Sequence, residues 1–482
     1  MSRNRVIYQS EALFASKEID STSQADHMQL RRVQSANYSF NVTRTDLNQF
    51  GQLSRIDSLI LEAPTVSADV SYFLGDGYNE EVLNFANSDL NVGFVSGQIT
   101  SSSGQNLYIM TAPEGKDASV PGFTTGSFGA IGIGNAFVTD YSMEASVGGF
   151  PTVTVSFEGS NINASTNVSG TRDGFSGTFS GAGIDPVSGT PIANQIAGNG
   201  IEIRPADPGT DAGVVTALRP ADISFDLSSA DGDTIAAIHS TDGGHVQSVS
   251  LSVPLSRTPI ERLGTRFPFA RTVDFPITPT LSVSAIVNET QEKSLTSIIA
   301  SDDFIPSATI TIKDPAGTDA AIYKLTNLKL DSESFSSSVG PNKTVDLTFS
   351  ISVGGPDDTD NNVFFSGANT DAKFALQEVK LNAGGFIEGE SATVNGVTFD
   401  FDAGTTGEQT VGYVHGQSTR KFNVTYTGAA DLDLSDVGGG AITGNDGANG
   451  MTGLSGAVGG QLEFAPTNKA VNTDITGTLS LS

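Results

Sequence analysis

The feature that most constrains this chain is an internal duplication written in the alternating pattern of β-strands. VQSANYSFNVTRTDLNQFG, from Val33 to Gly51, lines up without a gap against VQSVSLSVPLSRTPIERLG, from Val246 to Gly264. Val-Gln-Ser, a later Ser, an Arg-Thr pair and the closing Gly coincide, while Tyr38/Leu251, Phe40/Val253, Val42/Leu255 and Phe50/Leu263 keep the apolar side of each strand. A self-similar segment at this separation marks a repeated structural unit. With an offset larger by two, Pro64-Thr65-Val66-Ser67 meets Pro279-Thr280-Leu281-Ser282 at the start of the next strand, and VGGFPTVTVSF from Val147 faces VGPNKTVDLTF from Val339. Three blocks in the same order imply a duplicated domain.

Period-2 alternation rich in β-branched and aromatic residues recurs beyond these blocks, as in Val66, Ala68, Val70 and Tyr72, or Val153, Val155 and Phe157. This reads as half-buried antiparallel strands. Helical periodicity is nearly absent, with one short candidate per copy, Glu80–Phe85 and Glu292–Ile299. The surplus of the first copy is expected around 97–135, where GAIGIGN reads as a loop or a bulged strand. The expected organisation is a first domain over 1–165, a Gly/Ser/Pro/Asn-rich linker or arm over 166–218, and a second domain over 219–355. After the break GGPDDTDNN, 354–362, an appended C-terminal β module spans 356–482, with a small sandwich of immunoglobulin-like kind as one candidate. Asn395-Gly396 between alternating residues is a hairpin signal there. The fold class is mainly β.

Composition narrows the function. In 482 residues there are 54 acidic and 25 basic side chains, a formal charge of −29, and no Cys or Trp. The 37% hydrophobic content suffices for real cores. Lacking Cys, the chain has no disulfides, zinc–thiolate sites or cysteine nucleophiles. Acidity argues against general nucleic-acid binding, which relies on Lys and Arg at phosphates. Residues 1–20 do not read as a Sec signal, and no run approaches the 18 or more apolar residues of a membrane helix, so the expected compartment is cytoplasmic with no membrane insertion.

Catalytic and metal motifs are weak. His239 and His245 flank STDGG with Asp242, but the pair lies on no helix and reads as solvated turn histidines; His27 and His415 have no partner at metal-site spacing. GFSG at 174–177 and GLSG at 453–456 lack the Gly-x-Ser-x-Gly spacing of a nucleophile elbow. GAIGIGNAF, 129–137, lacks the third-glycine spacing of a pyrophosphate cradle. Asp357, Asp358 and Asp360 resemble the start of a calcium loop, yet Val363 stands where Gly is needed and Asn369 where Glu is needed. Asn-x-Ser/Thr triplets such as Asn41–Thr43 and Asn423–Thr425 carry no weight without export. No carboxylate pair is singled out for acid–base work. The expectation is a protein that is not an enzyme, with no catalytic, cofactor-binding or metal-binding residues and no cofactor.

A duplicated antiparallel domain must protect its edge strands, and copies joining edge to edge into a ring would do so. Two such domains per chain would let a trimer close with pseudo-sixfold symmetry. On RRVQSANYSFNVTRTDLNQFGQLSRIDSLILEAPTVSADVSYFL at 31–74, AFVTDYSMEASVGGFPTVTVSFEGSNI at 136–162 and their second copies, roughly three quarters of the chain resembles the tail tube proteins of long-tailed bacteriophages. The resemblance includes the siphophage type, whose tube protein carries two fused tube domains and a C-terminal decoration domain.

The resemblance implies two tandem tube β-sandwiches, each with a short flanking helix, closing into stacked trimeric rings whose inner barrel lines a channel. Strands at 38–43, 66–73, 251–256 and 281–287 are its candidates for barrel and sandwich strands. LGDGYNEE, 74–81, and the counterpart near 288–294 are its candidates for inter-domain or inter-ring contact. The implied partners are further copies of the chain, a tape measure protein, the tail terminator and baseplate proteins, with genomic DNA passing the lumen without specific binding. The implied location is the virion tail, assembled in the host cytoplasm. A carboxylate-lined channel would repel phosphates. The competing readings are a β-rich surface adhesin or glycan-binding protein, and a polysaccharide-acting enzyme of a tail fibre.

Overall fold

The structure is a computed structural model. It describes residues 11–168, 182–192, 223–229, 245–286, 306–336, 344–354 and 362–367, apart from 17–26 (other than Ile19), 76, 86–93, 102–103, 112–127, 186–187, 266 and 314–318, and beyond these the backbone of nine strands between 376 and 481. The fold is mainly β and antiparallel.

In chain order the first half forms β1 (Glu11–Ser16), β2 (His27–Gln29), β3 (Val33–Asn41), β4 (Thr45–Leu47), β5 (Asp57–Leu59) and β6 (Thr65–Phe73). Two single-turn helices follow, α1 (Tyr78–Val82) and α2 (Ser96–Thr100), then β7 (Gln105–Thr111), β8 (Phe128–Ser146), β9 (Thr152–Gly159) and β10 (Asn161–Val168). The second half forms β11 (Ile223–Ser229), β12 (His245–Pro254), β13 (Arg257–Ile260), β14 (Ala270–Val273) and β15 (Thr280–Ile286). It continues with β16 (Pro306–Lys313), β17 (Asp319–Leu325), β18 (Lys329–Ser336), β19 (Thr344–Ser350) and β20 (Val363–Gly367).

Alternation dictates the layers. In β6, Val66, Ala68, Val70 and Tyr72 are buried while Thr65, Ser67 and Asp69 are exposed; Val153, Val155 and Phe157 of β9 and Leu281, Val283 and Ala285 of β15 repeat the pattern. One face of these strands therefore packs into a core shared with a back layer that supplies Leu13, Leu107, Ile109 and Ile133, and Phe225, Ile310 and Leu325.

The front layer runs continuously as β3-β6-β9-β8-β12-β15-β19-β18. The long β8 serves both layers. Its C-terminal half lies between β9 and β12, and its N-terminal half lies between β7 and β10 in the back layer, where β7 continues to β1 and β2. The change of layer falls at Asn135, in the left-handed region at φ 53°. Asn135 Nδ2 donates to the Ile184 carbonyl at 3.0 Å, and its Oδ1 accepts the Ile184 amide at 2.8 Å. A side chain able to bond the local backbone tolerates this conformation. The second back layer is β11-β16-β17-β20.

The two halves share one pairing scheme, residue for residue. Ser35 faces Ser71 and Ser248 faces Ser284, each beside a bulge, between Val33 and Ser35 in one half and between Val246 and Ser248 in the other. A second bulge falls between Val138 and Asp140 and again between Leu330 and Ser332. Asn327, the counterpart of Asn135, is also left-handed, at φ 52°. The hairpins match as well: Thr45 faces Leu59 and Thr258 faces Thr272, with left-handed Gly51 and Gly264 at corresponding places.

These registers correct several expectations. Ser67 corresponds to Thr280 and Ala68 to Leu281, so the offset larger by two is wrong: an alternating pattern reads the same after a slip of two residues. GAIGIGN is the bulged strand of its two readings, shifted in register against β7, and α1 and α2 precede β7. Helix forms at 78–82 and 96–100, while 292–299 lies outside the described residues. Strand β10 runs to Val168, past a boundary at 165, and β20 pairs with β17 with Val363 and Phe365 buried, so the second unit does not stop at 355. Within 166–218, Ala182 and Ile184 are buried against the first back layer, so part of that arm is a packed strap.

The C-terminal part has two antiparallel sheets. One is formed by Leu376–Asn382, Glu408–His415, Ala441–Gly444 and Gly447–Gly450. The other is formed by Glu390–Val394, Val397–Phe401, Arg420–Thr427, Gly460–Pro466 and Gly477–Leu481. Val394 pairs with Val397 across Asn395-Gly396, as the hairpin signal predicts.

Candidate assembly interface

The joint between the two halves is a β-ladder. Strand β8 ends the first four-stranded array and β12 begins the second, in the register Ser146↔Ser248, Glu144↔Ser250, Ser142↔Ser252 and Asp140↔Pro254. Past the strand end the Leu255 amide donates to the Thr139 carbonyl at 2.9 Å.

The hairpin β13–β14 then folds back onto the first half. Arg257 donates from Nε to the Val138 carbonyl at 3.2 Å and from Nη2 to the Gln98 carbonyl at 2.6 Å. Its Nη1 donates to Arg271 O at 3.2 Å, and its guanidinium lies 4.9 Å from the centroid of the Phe137 ring. Burial, with the charge of Arg271 nearby, lowers the Arg257 pKa to about 10. Arg271 is itself buried and pairs with Glu158 through Nη1 and Oε1 at 2.5 Å. A buried guanidinium held this way costs far more to break than a surface pair.

Behind the ladder the halves meet through aromatic rings and one carboxylate. Tyr72 donates to Glu80 Oε1 at 2.8 Å, Tyr141 donates to the same oxygen at 3.2 Å, and the Tyr141 and Tyr323 hydroxyls are 2.7 Å apart. Because Tyr141 commits its proton to Glu80, Tyr323 must be the donor to Tyr141. Burial raises all three tyrosine pKa values well above the usual value, with the Glu80 charge adding to the effect. Phe94 stacks on Phe85 and contacts Tyr141, Tyr323 and Phe365, while its amide donates to the Val363 carbonyl at 2.8 Å. Phe94 and α2 thus connect the first half to the second.

At the outer ends of the front layer, β3 pairs with β6 and β18 with β19, with no further strand beside either among the described residues. The exposure contrast is direct. Tyr38 and Phe40 of β3 are 40% and 61% exposed, whereas their counterparts Leu251 and Val253 in β12 are 0% exposed. The same positions of the repeat are covered in one half and open in the other. The β4–β5 arm also carries exposed Leu47, Phe50, Leu53, Ile56 and Leu59; the tip of the β13–β14 arm is exposed as well, at Ile260, Leu263 and Phe269, but its base is seated, with Arg271 and Val273 buried where Ser58 is half-buried and Ile60 exposed. Contiguous exposed apolar residues of this kind mark an interaction surface.

The other face of the front layer is polar. Its strands β6, β8, β9, β12, β15 and β19 contain no Lys or Arg, and the outward positions are Ser and Thr with Asp69, Asp140, Glu144, Glu158 and Asp346. Asp69 accepts from Ser156 at 2.7 Å and Asp346 from Ser284 at 2.5 Å. Partial burial raises the Asp140 pKa.

The weak motifs of the sequence are not gathered into a site. His239, Asp242, GFSG, GLSG, Asp357, Asp358, Asp360 and Asn369 lie outside the described residues, as does the segment 288–294. His27 and His245 begin different strands, and Val363 is buried in β20. Of the two places expected for LGDGYNEE, inter-domain or inter-ring, Glu80 lies at the first, inside the core at the joint between the halves. Sequence reasoning named Glu80 only as part of LGDGYNEE and of a short helix, and missed Tyr323 and Arg257; of these two only Arg257 carried a signal, the repeated Arg-Thr pair. Among the described residues no group of three or more His, Asp or Glu could hold a metal ion, and no helix is long and apolar enough to cross a membrane. No protein-family model matches the sequence, and no curated protein matches it either.

Proposed function

We propose that this chain is a structural, non-catalytic subunit that polymerises edge to edge into rings, stacked as the tail tube of a bacteriophage, with DNA passing through the channel. The observation that carries the reading is the pair of open edges. The front layer repeats one four-strand array twice in the same direction, so its outer edges β3 and β18 are the counterparts of β12 and β8, which are already joined. A surface that contains both halves of an interface makes head-to-tail contacts, which give rings when the rotation closes.

Size supports the channel. Three chains would place about 24 front-layer strands around a barrel; a spacing of about 4.8 Å and a tilt of about 40° give a backbone diameter of roughly 45–50 Å. That leaves room for a nucleic-acid duplex after side chains are subtracted. With the apolar face turned to the back layer, the Ser/Thr and carboxylate face would line the lumen, and because its six central strands contribute no Lys or Arg, phosphates would slide along them.

Negative-stain electron microscopy of the purified chain at rising concentration tests the reading. Rings of threefold or apparent sixfold symmetry, stacking into hollow tubes, are the expected result. A closed twofold dimer in which β3 pairs with β3 would refute it, and a cryo-EM map with a basic lumen would refute the proposed lining.

A further inference from the structure

The seat of the β13–β14 arm shows where the exposed β4–β5 arm belongs. The residue standing where Arg257 stands is Arg44, which is exposed. The counterparts of Val138, Thr139 and Phe137, in the register shared by β8–β9 and β18–β19, are Leu330, Asp331 and Lys329.

The replacements change the chemistry of the seat. Phe137, the ring under Arg257, becomes Lys329, so no stack can form. Arg271 becomes Ser58 and Glu158 becomes Ser350, so the ion pair of the internal joint has no direct copy. A carboxylate is nevertheless kept at this place, because Ser350 Oγ donates to Asp331 Oδ1 at 3.0 Å. The negative charge has moved from the strand residue to the bulge residue beside it, and one guanidinium, Arg44, remains to meet it.

Resting on the ring-forming reading above, we infer that Arg44 of one copy latches onto the Leu330 carbonyl and Asp331 carboxylate of the next. Strand β3 then adds to β18 with Ser39 opposite Ser334 and Asn41 opposite Ser332. The register follows from Ser252 opposite Ser142 and Pro254 opposite Asp140 in the internal joint. The partner is a second copy of this chain. Asp331 is the countercharge on which the seat depends, since without it Arg44 meets only Lys329. The joint between chains is therefore ionic where the joint within the chain is a buried stack and ion pair, and salt screens it more strongly.

Two experiments on the full chain test this. The chain has no Cys, so engineered cysteines report alone. Directly opposed Cα atoms in an antiparallel ladder are about 4.5–5.5 Å apart, within disulfide range. Ser39→Cys with Ser334→Cys is expected to give a covalent ladder of chains on oxidation, and Ser39→Cys with Ser332→Cys, slipped by two, is not. Arg44→Glu is expected to raise the critical concentration for ring formation on the order of tenfold or more, through like charge against Asp331. Asp331→Arg alone does the same, and the two together restore assembly. Both sites are exposed, so the thermal melt of the unassembled chain should be unchanged.

Arg44→Glu assembling like the parent, or the slipped cysteines linking as well as the in-register pair, would overturn the latch. Tubes that form regardless of Arg44 would leave the tube reading standing without the latch. In-register ladders and charge-swap rescue in rings that never stack would uphold the latch and remove the tube.

Discussion

Replacing Tyr141 by Phe tests the buried polar chain at the joint most directly. The proton order Tyr323 to Tyr141 to Glu80, with Tyr72 as the second donor to Glu80, makes the three tyrosines unequal. Tyr141→Phe keeps the ring packing against Phe85 and Phe94 but takes a donor from a buried carboxylate and strands the Tyr323 hydroxyl. Hydrogen bonds to charged groups contribute about 1.5–3 kcal/mol, and a stranded buried hydroxyl adds about 1 kcal/mol or more. The expected loss is therefore about 3 kcal/mol. Tyr323→Phe removes a neutral bond and leaves Tyr141 its acceptor, so about 1 kcal/mol is expected.

The same chain fixes an alkaline signature. A tyrosine whose folded pKa is raised contributes stability that is complete below its unfolded pKa of about 10 and is lost as pH rises toward the folded value. Each such tyrosine steepens the loss by about 1.4 kcal/mol per pH unit in that window, and each Phe replacement removes one such step. Urea unfolding of the unassembled chain at pH 7 and across pH 9–11 reads both effects, followed by circular dichroism and tyrosine emission, which no Trp obscures. Tyr323→Phe costing as much as Tyr141→Phe, or an alkaline slope unchanged in both, would refute the proton order.

Other outcomes follow from the packing. Phe94→Ala should cost about 3–5 kcal/mol, because the ring is buried between both halves, and should separate their unfolding into two urea transitions. Gly134→Ala would put a Cβ 1.9 Å from the Ala182 carbonyl oxygen, a collision with backbone; displacement of the 182–192 strap, read as faster proteolysis there, and a loss of about 1–3 kcal/mol are expected. A chain ending at residue 370 should still assemble, whereas one ending at 362 loses β20 and uncovers Tyr323, so its product in expression trials should be insoluble.

The strands of the front layer were legible because one side of each is wet and the other dry, which writes an alternating pattern into β6, β9, β15 and β19. The duplication was legible for the same reason, together with Arg44/Arg257 and Gly51/Gly264, which stand at matching turns of the two arms. The register of the second strand was not, since a pattern of period 2 carries no information about a shift of two. Strands β10 and β20 were cut off or missed because each follows or lies in Gly- and Asn-rich sequence that reads as linker. The Glu80 site was legible only as the segment LGDGYNEE and not as a constellation: its members come from positions 72, 80, 141 and 323, and only the crossing of β8 between layers brings them together. The open edge strands were expected from topology, but only the difference between Phe40 and Val253 identifies which edges they are.

Carrying both halves of the repeat on one chain has a kinetic consequence. The β8–β12 ladder forms when the chain folds, as a unimolecular event that no dilution can reverse. In any ring built from this protein every second seam is thus independent of concentration, and growth waits only on the β18–β3 seam. The internal seam is also released from having to recognise a stranger. Its residues can be chosen for permanence, and those of the outer seam for reversible, error-correcting assembly.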